Sequence, residues 1–125
     1  MKINKLYTYP KSMRSVINGG RHYDIGGDKL PSVTTILSAT QSDEKKASLA
    51  NWKLKMGDKV ADEIRDRAAA RGTAMHTYLE HYLDGTGYKD LTPMGRKAET
   101  MANRIIESGL GDLEELWGLE TTLYY

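Results

Sequence analysis

The residues best suited to chemistry lie in the run Ala69-Ala70-Arg71-Gly72-Thr73-Ala74-Met75-His76-Thr77-Tyr78-Leu79-Glu80. On a helix, His76 and Glu80 fall about 40° apart and share one face. His76 borders the Met75/Leu79 apolar stripe, and an imidazole in such a place ligates a metal when a neighbour fixes its second nitrogen. Glu80 suits that supporting role, or the role of an oxygen ligand. The same spacing suits an ordinary surface i,i+4 pair, and spacing alone does not decide between them. Zinc-protease chemistry is excluded. H-E-x-x-H is absent, and His76, Glu80 and His81 do not match its inverted form, His81 lying about 140° around the helix from His76. The chain has no cysteine, which removes thiolate metal sites, disulfides and a Cys nucleophile. No Gly-x-Ser-x-Gly elbow occurs either.

A second group is Pro31-Ser32-Val33-Thr34-Thr35. Ser32 is placed to cap a short helix whose apolar side is Val33, Ile36 and Leu37. Thr34 and Thr35 are weak helix formers. Their hydroxyls and the free N–H groups of a first turn suit a phosphate, and they equally suit completion of the cap.

These residues must be positioned by a chain of 125 residues and 14.0 kDa, which suits a single domain over residues 1–125. Asn18-Gly19-Gly20 and Gly26-Gly27 bracket a short run and predict hairpin structure in the first thirty residues. Without G-x-G-x-x-G spacing, these glycines form no phosphate loop. Ser42-Asp43-Glu44 starts a helical region reaching about Asp84, with Leu49, Trp52 and Met56 as one stripe. Gly57 is its expected break, and Gly72 a second break or a close-packing point. Thr92-Pro93 opens a further helix with Met94, Ala98, Met101 and Ile105 as its core face and Gly109 as its end. The methionines read as core filler. From Trp117 to Tyr125 apolar residues alternate, and period two predicts a strand. Such a strand needs a sheet, for which the hairpin is the candidate, and association of the chain is expected if it stays unpaired.

No run approaches the roughly 20 apolar residues of a membrane helix, and the N-terminal MKINKLYTYP has no secretory core. A soluble, cytoplasmic protein is expected. Residues 1–60 carry 11 basic and 5 acidic side chains, and residues 61–125 carry 7 and 12. A basic half suits a polyanion and an acidic half suits cations, although solvated helix faces produce the same count.

Five motifs occur in order: Arg21-His22-Tyr23; Leu30-Pro31-Ser32-Val33-Thr34-Thr35-Ile36-Leu37; Leu49 with Trp52; Arg71-Gly72-Thr73 with His76 and Glu80; and Trp117-Gly118-Leu119-Glu120. In this order the chain resembles the front half of RecB-like exonucleases of the PD-(D/E)XK superfamily, in particular the phage and mitochondrial genome maintenance exonucleases. The resemblance implies an α/β, restriction-endonuclease-like fold, which in this chain becomes a mostly helical body with an N-terminal β-hairpin and a C-terminal strand. It implies a divalent metal, Mg2+ or Mn2+, on His76, with Glu80 in support and Glu120 on a core strand. It places Ser32, Thr34, Thr35, Trp52, Arg71 and Thr73 along a DNA path. In such enzymes two metals activate water and neutralise charge on the scissile phosphate.

The family's G-x-x-D and E-x-K strands have no counterpart before Tyr125. Two readings follow. The chain is the N-terminal part of a metal-dependent DNA exonuclease, inactive until a C-terminal half or second subunit supplies the missing strands. Alternatively, it is a non-catalytic DNA-binding or subunit-interface module of the same descent.

Overall fold

The computed structural model describes all residues from Met1 to Tyr125. Its elements are β1 (Lys2–Ile3), β2 (Met13–Ile17), β3 (Gly20–Ile25), β4 (Asp28–Pro31), α1 (Val33–Ala39), α2 (Asp43–Met56), α3 (Asp58–Asp84), α4 (Pro93–Ile105), a π-helical turn over Ile106–Leu110, and β5 (Glu115–Leu116). Helix accounts for 53% of residues, so the chain is a mostly helical α/β protein. No helix is long and apolar enough to cross a membrane. The contacts group into two compact units, one of Met1–Tyr7 with Asp58–Glu120 and one of Thr8–Gly57 with Thr121–Tyr125.

The second unit is built on the expected hairpin. Strands β2, β3 and β4 form an antiparallel meander, with Arg14 opposite Tyr23 and Tyr23 opposite Leu30. Asn18 and Gly19 both adopt positive φ, 51° and 77°, as a two-residue turn matching strand twist demands. Ser32 caps α1 as predicted, its hydroxyl accepting from the Thr35 N–H at 3.1 Å. The Arg21 carbonyl holds α1 on β3, accepting from the Ser32 N–H at 3.0 Å and the Thr35 hydroxyl at 2.9 Å.

Ser42 likewise caps α2, and the helix ends at Gly57. The apolar stripes of these helices are not covered. Val33, Ile36, Leu37, Leu49 and Met56 are exposed. No residue of α1 or α2 is buried. The expected core faces are therefore surface here, α1 meeting β3 through its capped first turn while Val33, Ile36 and Leu37 stay exposed. A helix of 14 residues without tertiary support is marginal in water. The backbone amides of α2 should exchange with solvent far faster than those of α4. Hydrogen exchange read residue by residue checks this, and equal protection in the two helices would contradict it.

The first unit carries the small core. Helix α3 runs unbroken through Gly72, a correction to the expected break. Glycine weakens a helix interior by about 1 kcal/mol, too little to interrupt a helix of 27 residues whose C-terminal half packs on α4. Tyr78 of α3 is buried with Ala98 and Ala102 of α4, and Ala74, Met75, Leu79 and Tyr88 pack around them. Small residues on α4 let the two helices approach, and Met94 is only partly buried while Met101 lies exposed. Of the methionines, Met75 packs on this core, while Met94 and Met101 of α4 fill little of it. Thr92 caps α4, its hydroxyl accepting from the Gly95 N–H at 3.0 Å with Pro93 in the first turn. Past α4, the π-helical turn carries the helix to Leu110, beyond the expected stop at Gly109.

The C-terminal strand differs most from expectation. Only Glu115–Leu116 is strand, paired in parallel with Lys2–Ile3 rather than with the hairpin. Residues 117–120 bend, and 121–125 have no regular structure. Alternation describes a segment able to line a sheet, but it does not select a partner: the outer edges of β2 and β4 stay unpaired, and the last residues meet the hairpin unit through the Ser12 and Thr122 hydroxyls, 2.8 Å apart. A short clip replaces the long strand. The Asn4 N–H donates to the Leu116 carbonyl at 2.8 Å, the Asn4 amide donates to the Glu115 carboxylate at 2.7 Å, and Tyr7 packs on Trp117 with centroids 5.4 Å apart. The Asn4 amide, and then Trp117, hold the Glu115 carboxyl below its ordinary pKa.

Candidate metal and nucleic-acid site

The clip between the N-terminus and residues 115–117 sets where the Trp117-Gly118-Leu119-Glu120 bend begins. Glu120 then takes a left-handed backbone, φ 51°, which a non-glycine residue adopts only where its surroundings impose it. Its carboxylate is brought to His76 of α3, 44 positions earlier in the chain. His76 Nδ1 and Glu120 Oε1 stand 3.9 Å apart, with the side chains 68% and 58% exposed. At that separation no hydrogen bond joins them, and a pair so open to water adds little stability even with the imidazole charged. Glu80, one turn along α3, is half-buried and makes no ion pair with His76. The histidine's acidic neighbour is thus the distant glutamate and not the local one.

No three of the chain's His, Asp and Glu side chains converge as a metal-binding group. Magnesium and manganese favour six ligands, mostly oxygen, in octahedral geometry, with adjacent donors on the order of 3 Å apart. His76 and Glu120 offer two donors slightly too far apart, and Glu80 is not drawn in. Alone, these residues do not make a magnesium or manganese site.

No protein-family model matches the chain, nor does any curated protein or solved structure. The site therefore rests on its own geometry.

The residues expected along a DNA path divide between the two units. Ser32, Thr34, Thr35 and Trp52 belong to the unit built on the hairpin, and Arg71 and Thr73 to the unit of α3 and α4. The hydroxyls at the start of α1 have structural employment. Ser32 Oγ lies 2.8 Å from Thr35 Oγ1 and 3.1 Å from Thr34 Oγ1, and Thr35 donates onward to Arg21. Of the two uses open to that motif, the cap is the one its hydrogen bonds serve. Trp52 and Arg71 are half-buried and Thr73 is exposed. Around Trp52, α2 displays Lys45, Lys46, Lys53 and Lys55 to solvent. The hairpin unit as a whole carries eight basic and four acidic side chains.

Sequence reasoning missed a cluster of three tyrosines and a histidine at the end of α3. Tyr78 and Tyr88 meet edge to face at 4.7 Å, and His81 stacks on Tyr88 at 5.2 Å with planes 7° apart. The available signal was aromatic density, with Tyr78, His81, Tyr82 and Tyr88 inside eleven residues.

Proposed function

We propose that these residues form the front portion of a metal-dependent DNA exonuclease of the RecB-like kind, handling DNA and contributing His76 and Glu120 to a metal site that other polypeptide completes. The observation that carries this reading is the meeting of His76 with Glu120. Two separate motifs of the family resemblance supplied those residues, and they lie 3.9 Å apart across 44 positions of chain. The lysine-bearing face of α2 supports the DNA-handling part, since clustered cations gain affinity by releasing counterions from phosphates. His76 and Glu120 act here only as donors held in readiness.

The test has two arms on the 125-residue chain. Fluorescence anisotropy with a labelled DNA oligonucleotide should give an affinity that falls linearly on logarithmic axes with salt, by about 0.9 per phosphate neutralised. Replacing Lys45, Lys46, Lys53 and Lys55 by Ala should flatten that slope by roughly 3 to 4. In the second arm, Mn2+ should broaden the NMR signals around His76 and Glu120 weakly, as two donors alone would hold it, and His76→Ala should remove that broadening. No digestion of DNA is expected in either metal, because two donors do not complete the shell. Salt-independent DNA binding, or none, would defeat the DNA part, and broadening that ignores His76 would defeat the metal part.

A second reading, a non-catalytic subunit-interface module, draws on the surface. Two separate compact bodies sharing this mass would expose about 8,000 Å2, whereas this chain exposes 10114 Å2. The excess includes Leu54 and Leu123, each about four-fifths exposed. Exposed apolar side chains of this kind are what a subunit interface would cover.

A further inference from the structure

The aromatic cluster at the end of α3 lines an open cleft of about 200 Å3 that the proposed function does not use. Its wall is preorganised. Tyr78 is buried, and its hydroxyl accepts from the Asp90 N–H at 2.9 Å and donates to the Asp90 carbonyl at 3.3 Å. His81 is tied through Nδ1 to the Thr86 hydroxyl at 2.7 Å and stacks on Tyr88. Tyr82 lines the same cleft, half-exposed and without a ring partner. Asn103 of α4 also lines it, its amide exposed and engaged in no hydrogen bond.

The charges there cancel. Lys89 Nζ and Glu99 Oε1 are both in the lining and stand 3.9 Å apart, so the cleft has no net charge with which to hold an anion. What remains is a tyrosine ring without a ring partner and, in the same lining, an amide that offers a donor and an acceptor together. That pairing is the one by which asparagine reads the edge of a base, and stacking on a tyrosine tolerates any base because each has a π-face. The volume admits one ring system and little more.

We propose that this cleft binds a single purine or pyrimidine base, stacked on Tyr82 and hydrogen-bonded at its edge by Asn103. The base comes either from a free nucleoside or from an unstacked nucleotide of a strand. Only the second source rests on the nucleic-acid reading above.

Adenosine, which is uncharged, is the first probe, titrated into the full chain without metal and followed by amide NMR. Saturable shifts should be confined to residues near 78–90 and 99–106. Tyr82→Ala should weaken binding by roughly 5- to 100-fold, and Asn103→Ala by about 5- to 100-fold with loss of preference between adenosine and cytidine. Both positions are exposed, so the variants keep the fold, and unchanged spectra elsewhere verify it. His76→Ala should leave adenosine binding as it was, which separates this inference from the metal site.

A short oligodeoxyadenylate and an abasic strand of equal length identify the source. A Tyr82-dependent advantage of the first over the second assigns the base to a strand, and adenosine binding without that advantage assigns it to a free nucleoside. Absence of saturable shifts at about 10 mM adenosine, with oligonucleotide binding indifferent to Tyr82→Ala, overturns the proposal.

Discussion

Tyr78→Ala should cost the α3/α4 unit about 3–5 kcal/mol, as aromatic truncations in cores do. That is a large part of the 5–15 kcal/mol a domain commonly has, and the unit has no larger buried side chain to take over. The residue does three things together. Its ring fills the space that Ala98 and Ala102 leave open and packs edge to face with Tyr88, and its hydroxyl satisfies both backbone groups of Asp90. Tyr78→Phe separates these contributions, keeping the packing while stranding the Asp90 N–H and carbonyl. It should cost about 1–3 kcal/mol.

Each unit holds one tryptophan, Trp52 in one and Trp117 in the other. Urea unfolding in a Trp52→Phe background, followed by Trp117 fluorescence, therefore reports the α3/α4 unit by itself. A loss of stability below about 0.5 kcal/mol for Tyr78→Ala would mean that the unit's stability lies elsewhere.

Gly95→Ala should also destabilise, against the usual rule. Alanine in a helix ordinarily gains about 1 kcal/mol over glycine. At Gly95 an added Cβ would stand 2.5 Å from both the Cβ and the carbonyl oxygen of Asp90, with the Asp90 carboxyl carbon in its way as well. These neighbours are fixed. The Asp90 carbonyl accepts from Tyr78, and its carboxylate accepts from the Thr92 N–H at 2.9 Å and the Thr92 hydroxyl at 2.7 Å. Those Thr92 bonds hold the Asp90 carboxyl below its ordinary pKa. Relief would require moving the loop that carries the cap of α4, so a net loss of about 3 kcal/mol is expected. The same fluorescence experiment measures it, and a gain in stability would show the loop to be yielding. Because Tyr78 and Gly95 act on one residue, their combined effect should fall short of the sum.

Much of the local structure was legible because its causes lie within a few residues. Ser32, Ser42 and Thr92-Pro93 start helices where their side chains reach N–H groups three positions on. Asn18-Gly19 makes its turn because two successive positive φ angles suit few other pairs. His76 was singled out by its helical spacing from Glu80, and Glu120 by a family resemblance, and their meeting had no local signal. Glu80 was the neighbour that spacing suggested, yet helical spacing guarantees only a shared face and not a contact.

The amino-acid order alone determined the helix starts, the hairpin and the near balance of charge, since capping, turn conformation and side-chain count are settled over four or five residues. Tertiary structure decided the rest. It decided that Lys2–Ile3 pairs with Glu115–Leu116, and that the final residues form no long strand. It decided that the apolar stripes of α1 and α2 stay uncovered, and that Glu120 and not Glu80 faces His76. Each of these depends on which surface reaches which partner across more than a hundred or a few tens of residues. A periodic pattern says that a face is apolar, and only the folded chain determines whether anything comes to cover it.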